Sequence, residues 1–263
     1  MSTIVISEIG ENHLGDMGLA KTMIQLSKKA GADYAKFQIY DPHKTSNDDP
    51  EREWFFKVAL SRANVSDLIK KCGEIGIKPL FSVWDEVRAK WCLEEGLDAI
   101  KLASFHIADR ALLEIIAGSF KTVFLSTGMS SMEDIKAAVE ILEVEKLYLL
   151  HCVSDYPLKH ENVNLRVMNK LRQFSEHVGF SDHTIDTTAI LAAVSLGAEV
   201  VEKHFTISKD LPGTDHIFSA TPKEFENMVH EIRKIELLLG SPVKTMTPFE
   251  IEHQEFLRTR FLH

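Results

Sequence analysis

Cysteine is scarce. Only Cys72, Cys92 and Cys152 occur, widely spaced and without a CxxC pair. That excludes a disulfide framework and a thiolate zinc site, and it fits a reducing compartment such as the cytoplasm. No apolar run approaches the roughly 20 residues of a membrane span, and no charged and then apolar secretion signal opens the chain. A cytoplasmic location with no membrane partner is therefore expected. Basic charge is also in deficit, with 30 Lys and Arg against 39 Asp and Glu, a net charge of −9. Phosphate backbones are bound by clustered cations, so no nucleic-acid partner is expected and an anionic ligand must be held by a few local residues. Internal repeats, low-complexity tracts and Pro/Ser-rich linkers are missing, and no glycine-rich dinucleotide turn follows the first strand-like run.

What is present is a regular alternation of short buried runs with helical patterns. Strands are expected at 3–9, 34–39, 77–83, 98–102, 121–125, 147–150, 177–180 and 199–201, where apolar and β-branched residues cluster between turn signals. Helical spacing of apolar residues appears at 19–30, 66–75, 86–94, 111–117, 132–142, 163–174, 188–196 and 222–239. Residues 40–62 read as a long loop with a short helix and an aromatic patch at Trp54-Phe55-Phe56. Eight such units in 263 residues predict an α/β fold of the (β/α)8 TIM-barrel type, which typically takes about 250 residues. An open doubly wound sheet is the second choice. The barrel is expected over 1–245, with 246–263 as a C-terminal tail.

Polar, chemically capable residues follow nearly every expected strand. In a barrel all those ends converge on one face. The unit from Val178 to Phe205 carries His183 after one strand and His204 after the next, and parallel neighbours lie about 4.8 Å apart, so the two imidazoles read as half of a metal site. Without cysteine, such a pair favours a divalent ion with positions open to water or substrate oxygen. The same face gathers Glu8, Asn12, His13, Lys36, Gln38, Ser82, Lys101, Ser104, Ser126, Thr127, Ser154, Tyr156, Ser181, Glu202, Lys203 and Asp215. Singly, each has a structural reading: serines cap helices, Lys101 pairs with a carboxylate, Tyr156-Pro157 shapes a turn. Together, lysines and hydroxyls form an anion clamp suited to a phosphate. A phosphate site beside a Lewis acid suggests joining a phosphorylated reagent to a polarised carbonyl.

At these positions the chain resembles the sialic acid synthase family, the N-acetylneuraminate synthases with their pseudaminic and legionaminic acid relatives. The matching motifs are Glu8-Ile9-Gly10-x-Asn12-His13-x-Gly15-Asp16, Lys36-Phe37-Gln38, Lys101-x-Ala103-Ser104 and Ser126-Thr127-Gly128-Met129 in the first half. His151-Cys152-x-Ser154-x-Tyr156-Pro157, Ser181-Asp182-His183-Thr184, Glu202-Lys203-His204-Phe205 and Pro212-Gly213-x-Asp215-His216 follow, in family order from residue 3 to about 240. The resemblance implies condensation of phosphoenolpyruvate with an open-chain N-acetylated amino sugar such as N-acetylmannosamine, giving a nine-carbon 2-keto sugar acid and phosphate.

It further implies that His183 and His204 ligate Mn2+ or Mg2+. Lys36, Lys101, Ser104, Ser126 and Ser181 would hold phosphoenolpyruvate, and Gln38, Tyr156 and Asp215 would contact the sugar. Ser154 is counted among the substrate-binding residues. Glu8, Glu202 and Lys101 form the expected catalytic set, and a homodimer is the expected assembly. Three departures accompany the match. Ser82-Val83-Trp84-Asp85 replaces a Ser-Thr-Pro-aromatic run, so an altered phosphoenolpyruvate site is expected at Val83. Residues 40–62 look short and receive no sugar contact. The family's small C-terminal antifreeze-like domain has no counterpart before His263. A related synthase or aldolase with another substrate, or a non-catalytic sugar-binding barrel partnering a full-length synthase, remains open.

Overall fold

A computed structural model describes residues 2–260. Its strands are β1 (Ile4–Gly10), β2 (Tyr34–Ile39), β3 (Lys78–Val83), β4 (Ala99–Leu102), β5 (Thr122–Ser126), β6 (Lys146–Cys152), β7 (His177–Asp182) and β8 (Val200–His204). Each pairs in parallel with the next, and β8 returns to β1 through Ile4 opposite Val200 and Glu8 opposite His204. The sheet is a closed eight-stranded barrel, as the alternation predicts.

The helices among the described residues are α1 (Met17–Lys29), α2 (Arg52–Val58), α3 (Arg62–Ile75), α4 (Glu86–Glu94), α5 (Arg110–Ala117) and α6 (Met132–Ile141). Then follow α7 (Met168–Leu171), α8 (Thr188–Ser195), α9 (Pro222–Leu239) and α10 (Pro248–Thr259). Their starts obey local chemistry. Asp16, Asp85 and Asp109 accept backbone N–H groups at the first turns of α1, α4 and α5. Ser61, Ser131 and Thr221 close reciprocal capping boxes on α3, α6 and α9. Each such cap satisfies donors that a helix start leaves open.

Strands of a closed parallel sheet are covered on both faces, so both sets of alternating side chains are buried. The outward set, including Val5, Phe37, Phe81, Val83, Leu125, Phe180 and Val201, packs under the helices in the main core. The inward set begins apolar, with Ile6, Tyr34, Leu80, Ala99, Phe124, Tyr148, Leu150 and Val200 filling the lower barrel. Within that plug Phe124 stacks on Tyr148 at 4.8 Å and meets the edge of Tyr34 at 5.6 Å between ring centroids. Two residues further along the strands the inward set turns polar: Glu8 after Ile6, Lys36 after Tyr34, Ser82 after Leu80, Lys101 after Ala99, Ser126 after Phe124 and Glu202 after Val200. That step places the chemistry at the C-terminal face.

Several expected boundaries shift. β6, β7 and β8 continue through Cys152, Asp182 and His204, beyond the apolar runs. A parallel ladder is made by the backbone, so an inward polar side chain does not end it. The helix expected over 163–174 is instead two short 3-10 turns, His160–Asn162 and Leu165–Val167, and the four-residue α7. Asn164 sits there at φ 51°, a left-handed conformation that no helix interior carries. The expected tail at 246–263 contains the 12-residue α10, capped by Thr247 and Glu250, while 261–263 lie outside the described residues. No helix among the described residues is long and apolar enough to cross a membrane.

Candidate active site

Above the apolar plug opens a cavity of about 570 Å3, lined by the C-terminal ends of the strands. All the residues given a catalytic, substrate or metal role line it: Glu8, Lys36, Gln38, Lys101, Ser104, Ser126, Ser154, Tyr156, Ser181, His183, Glu202, His204 and Asp215. Its floor is a buried charge network. Lys36 Nζ lies 3.1 Å from Glu8 Oε1 and 3.1 Å from Glu202 Oε2. Gln38 Nε2 donates to Glu8 Oε1 at 2.9 Å, and Ser181 Oγ donates to Glu202 Oε1 at 2.8 Å. Glu8 Oε2 is buried without a hydrogen-bond partner among the described residues. It is an unpaired acceptor on a residue that lines the cavity.

Electrostatics separates the two lysines. Burial lowers the pKa of Lys36, but the carboxylates of Glu202 and Glu8 outweigh it, and the net shift is upward. Burial likewise works against ionised Glu202, yet Lys101 and Lys36 hold its pKa below the usual range. Lys101 is different. It donates to Ser126 Oγ at 2.6 Å and to the Leu102 carbonyl at 3.1 Å, with no ion-pair partner among the described residues. Burial brings its pKa down to about 8. A buried ammonium without a carboxylate of its own is costly unless an external anion completes it. Ser104 Oγ accepts from the Gly128 N–H at 2.9 Å beside it. A Cβ on Gly128 would lie 2.6 Å from Ser154 Oγ and 2.9 Å from Ser104 Oγ, so glycine lets this turn close over both hydroxyls.

The imidazoles stand on the opposite wall, His183 and His204 ring centroids 5.5 Å apart, with the Tyr156 ring 4.2 Å from His183. His183 Nδ1 lies 2.7 Å from the Val153 carbonyl, which orients the ring and leaves Nε2 as the nitrogen that could serve a ligand. Burial first, and the neighbouring His204 second, push the His183 pKa down to about 3, so this ring is neutral as a ligand must be. His204 Nδ1 is buried, 3.3 Å from Asp215 Oδ2 but without the alignment of a hydrogen bond. Burial lowers its pKa and the Asp215 charge more than offsets this, a net upward shift. Among the described residues no group of three or more His, Cys, Asp or Glu could hold a metal ion. The donor set therefore fits a divalent ion only as a two-imidazole site completed by water or substrate oxygens.

Other expectations change. Val83 is fully buried among the outward-facing core residues, whereas Ser82 lines the cavity. The hydroxyl missing at Val83 therefore takes nothing from the floor. Asn12, His13, Thr127 and Lys203, gathered on the same face from the sequence, hold the scaffold. Asn12 Nδ2 donates to the Phe205 carbonyl and Ser219 Oγ, His13 Nδ1 accepts from Gly15 N–H, and Thr127 Oγ1 donates to the Leu150 carbonyl. Lys203 pairs with Asp182 at 2.7 Å with both side chains fully buried. Conversely, Glu11, Glu51, Phe55, Trp84 and Phe105 line the cavity and received no role from the sequence. Glu11 accepts from Tyr40 OH at 2.5 Å and Trp54 Nε1 at 2.7 Å, and burial raises its pKa to about 7. The one available signal was the aromatic patch at 54–56 in an otherwise polar segment.

The fold and this cavity define a (β/α)8-barrel protein with an enzyme-type site at the carboxyl ends of its strands, an anion floor facing a pair of imidazoles. The chain belongs to the NeuB family, whose model matches residues 23–244. It is 39% identical over 253 residues to an uncharacterized protein of Methanocaldococcus jannaschii, covering 94% of this chain and 75% of the relative. The N,N'-diacetyllegionaminic acid synthase of Legionella pneumophila is 32% identical over 281 residues, covering 98% of this chain and 79% of the relative. Among solved structures, the N-acetylneuraminic acid (sialic acid) synthetase of Leptospira borgpetersenii superposes with a TM-score of 0.93 at 31% identity. That match covers 100% of this chain and 94% of the other. These relatives place the chain with the sialic-acid-synthase type of enzymes of carbohydrate biosynthesis.

Proposed function

We propose that this protein condenses phosphoenolpyruvate with the open-chain form of an N-acetylated amino sugar of the N-acetylmannosamine kind. The products are a nine-carbon 2-keto sugar acid and inorganic phosphate. The observation that carries the reading is Lys101, a buried ammonium bonded to Ser126 with no carboxylate partner among the described residues, in the same cavity as two imidazoles. Lys101, Ser126, Ser104 and Ser181 hold the phosphate and carboxylate of the enol phosphate by charge-assisted bonds, with Lys36 below. Gln38, Ser154, Tyr156 and Asp215 contact the sugar. His183 and His204 would hold a divalent ion, Mn2+ or Mg2+, which when bound polarises the sugar aldehyde.

The residues then have distinct tasks. The floor fixes the enol phosphate so that its C3 faces the aldehyde carbon, converting an encounter into a positioned reaction. As the C3–C1 bond forms, the aldehyde oxygen takes a proton and positive charge develops at C2. The anionic pair Glu8 and Glu202 stabilises that charge. Glu8 Oε2, buried and unpaired, accepts a proton from the water that adds to C2. Collapse of the tetrahedral carbon breaks the C2–O bond and expels phosphate beside Lys101; the C2 hydroxyl proton leaves with the phosphate, and the proton taken up by Glu8 balances the one gained by the aldehyde oxygen. Mixing the protein with manganese, phosphoenolpyruvate and a panel of N-acetylated sugars should release inorganic phosphate only with an aldehyde acceptor. Release at the same rate without sugar, or none with any sugar, would overturn the proposal. For the ion, His204→Ala should abolish manganese binding in calorimetry; unchanged binding would remove this assignment.

A further inference from the structure

The cavity is divided by charge. Its floor contains the fully enclosed Lys36 and Lys101, the only Lys or Arg side chains among the described residues that line it. Its mouth contains Glu11 and Asp215, half-buried, and Glu51, exposed. The three mouth carboxylates lie near enough for Asp215 and Glu51 to act electrostatically on Glu11. Lys57 stands 5.2 Å over the Trp54 ring but does not line the cavity.

Glu11 is also held in a rigid frame. Its two oxygens accept from Tyr40 OH and Trp54 Nε1, donors supplied by the end of β2 and by α2. Tyr40 in turn stacks on Trp84 at 4.4 Å and meets Phe55 edge-on at 5.5 Å, and Phe105 meets Trp84 edge-on at 5.1 Å. Trp84, Phe55 and Phe105 form a wall of the same cavity. The Trp84 indole N–H is buried with no partner among the described residues. Each Glu11 oxygen has accepted only one hydrogen bond, so each retains a lone pair for a hydroxyl or amide N–H. This combination suits an uncharged polyhydroxylated chain: apolar faces for C–H and a fixed acceptor for O–H and N–H.

Resting on the reaction proposed above, we infer that Glu11 is a specificity-determining residue for the far end of the sugar. It selects an acceptor whose distal carbon bears a free hydroxyl and rejects one bearing a phosphate. Such a phosphate meets carboxylates where a phosphate-binding mouth would offer Lys or Arg. Selectivity here comes from acceptors that a phosphate cannot satisfy and from like charge that it cannot escape.

The test is calorimetric titration of the full chain at pH 8, above the raised pKa of about 7 of Glu11 so that its carboxylate is ionised, with manganese at 0.15 M ionic strength, using N-acetylmannosamine and its 6-phosphate as probes. The free sugar should bind at least about tenfold more tightly, a difference of about 1.4 kcal/mol. Glu11→Gln should narrow the ratio at least threefold. Glu51→Gln, on an exposed side chain, should narrow it in the same direction without disturbing the fold. Equal or tighter binding of the 6-phosphate overturns the inference, as does a ratio unchanged in Glu11→Gln or the failure of N-acetylmannosamine to bind. Phosphate release from phosphoenolpyruvate is read separately. No release with the binding ratio intact would sink the reaction while supporting the role of Glu11.

Discussion

The lower and upper halves of the barrel interior use the same backbone register for opposite ends. Below, Ile6, Tyr34, Leu80, Phe124, Tyr148 and Val200 form a close-packed plug with no unpaired charge. Above, two residues further along the same strands, Glu8, Lys36, Ser82, Lys101, Ser126 and Glu202 face a cavity. The lower half gains stability by excluding water from apolar surface. The upper half gains little, because buried ion pairs roughly repay their desolvation cost and an unpartnered ammonium does not. Substitutions in the two halves should therefore separate folding from catalysis.

The largest separation should come from Glu8→Gln, which keeps the shape and the bond from Gln38 but removes the proton acceptor. Turnover should fall about 10²–10⁴-fold, while Lys36 keeps its ion pair with Glu202, so that the loss of stability from the broken Glu8 pair is small beside the loss of activity. Loss of activity matched by loss of stability would erase the contrast. In the other direction, Phe124→Ala should cost about 3–5 kcal/mol of unfolding free energy, with the KM for phosphoenolpyruvate unchanged in the fraction that stays folded. A stability loss under 1 kcal/mol would mean that the plug is not the packed base described here.

A sharper comparison lies within the upper half. Lys101→Ala removes a charge-assisted bond worth about 1.5–3 kcal/mol, so the KM for phosphoenolpyruvate should rise roughly 10- to 150-fold. The KM for the sugar should barely move. A rise below threefold, or equal effects on both substrates, would take the phosphate away from this lysine. The smallest effect is in pH. Burial lowers Lys101 to about 8, so the charged form that attracts phosphate prevails below that value and is lost as pH rises through it. kcat/KM for phosphoenolpyruvate should be nearly flat from pH 6 to 7, fall by about half at pH 8 and drop about tenfold per unit above it. A profile flat to pH 10 would show that Lys101 stays charged and that its burial is offset by more than Ser126.

Much of this was legible in residue order. Buried runs ending in Glu8, Lys36, Lys101, Ser126, Ser181 and Glu202 announce strands with chemistry at their carboxyl ends, because both faces of a barrel strand are buried and only its end meets a cavity. The strand ends at Asp182 and His204 lie beyond the apolar runs, since polar side chains hide the continuing backbone ladder. The expected helix over 163–174 fails at Asn164, whose left-handed φ no apolar periodicity reveals. Val83 shows the limit in miniature: one residue from Ser82, it points to the opposite face, and its missing hydroxyl takes nothing from the cavity wall.

The sequence by itself determined the fold class, the closed face and the inventory of its floor, because strand period, helix caps and residue types are local properties. Tertiary structure alone decided which carboxylate pairs with which lysine, that Lys101 is left without a carboxylate partner, and that Glu11 is clamped by Tyr40 and Trp54. Those facts depend on distances between residues 25 to 166 positions apart, and on burial that turns modest charges into strong ones. Neither distance nor dielectric is written in any single stretch of chain.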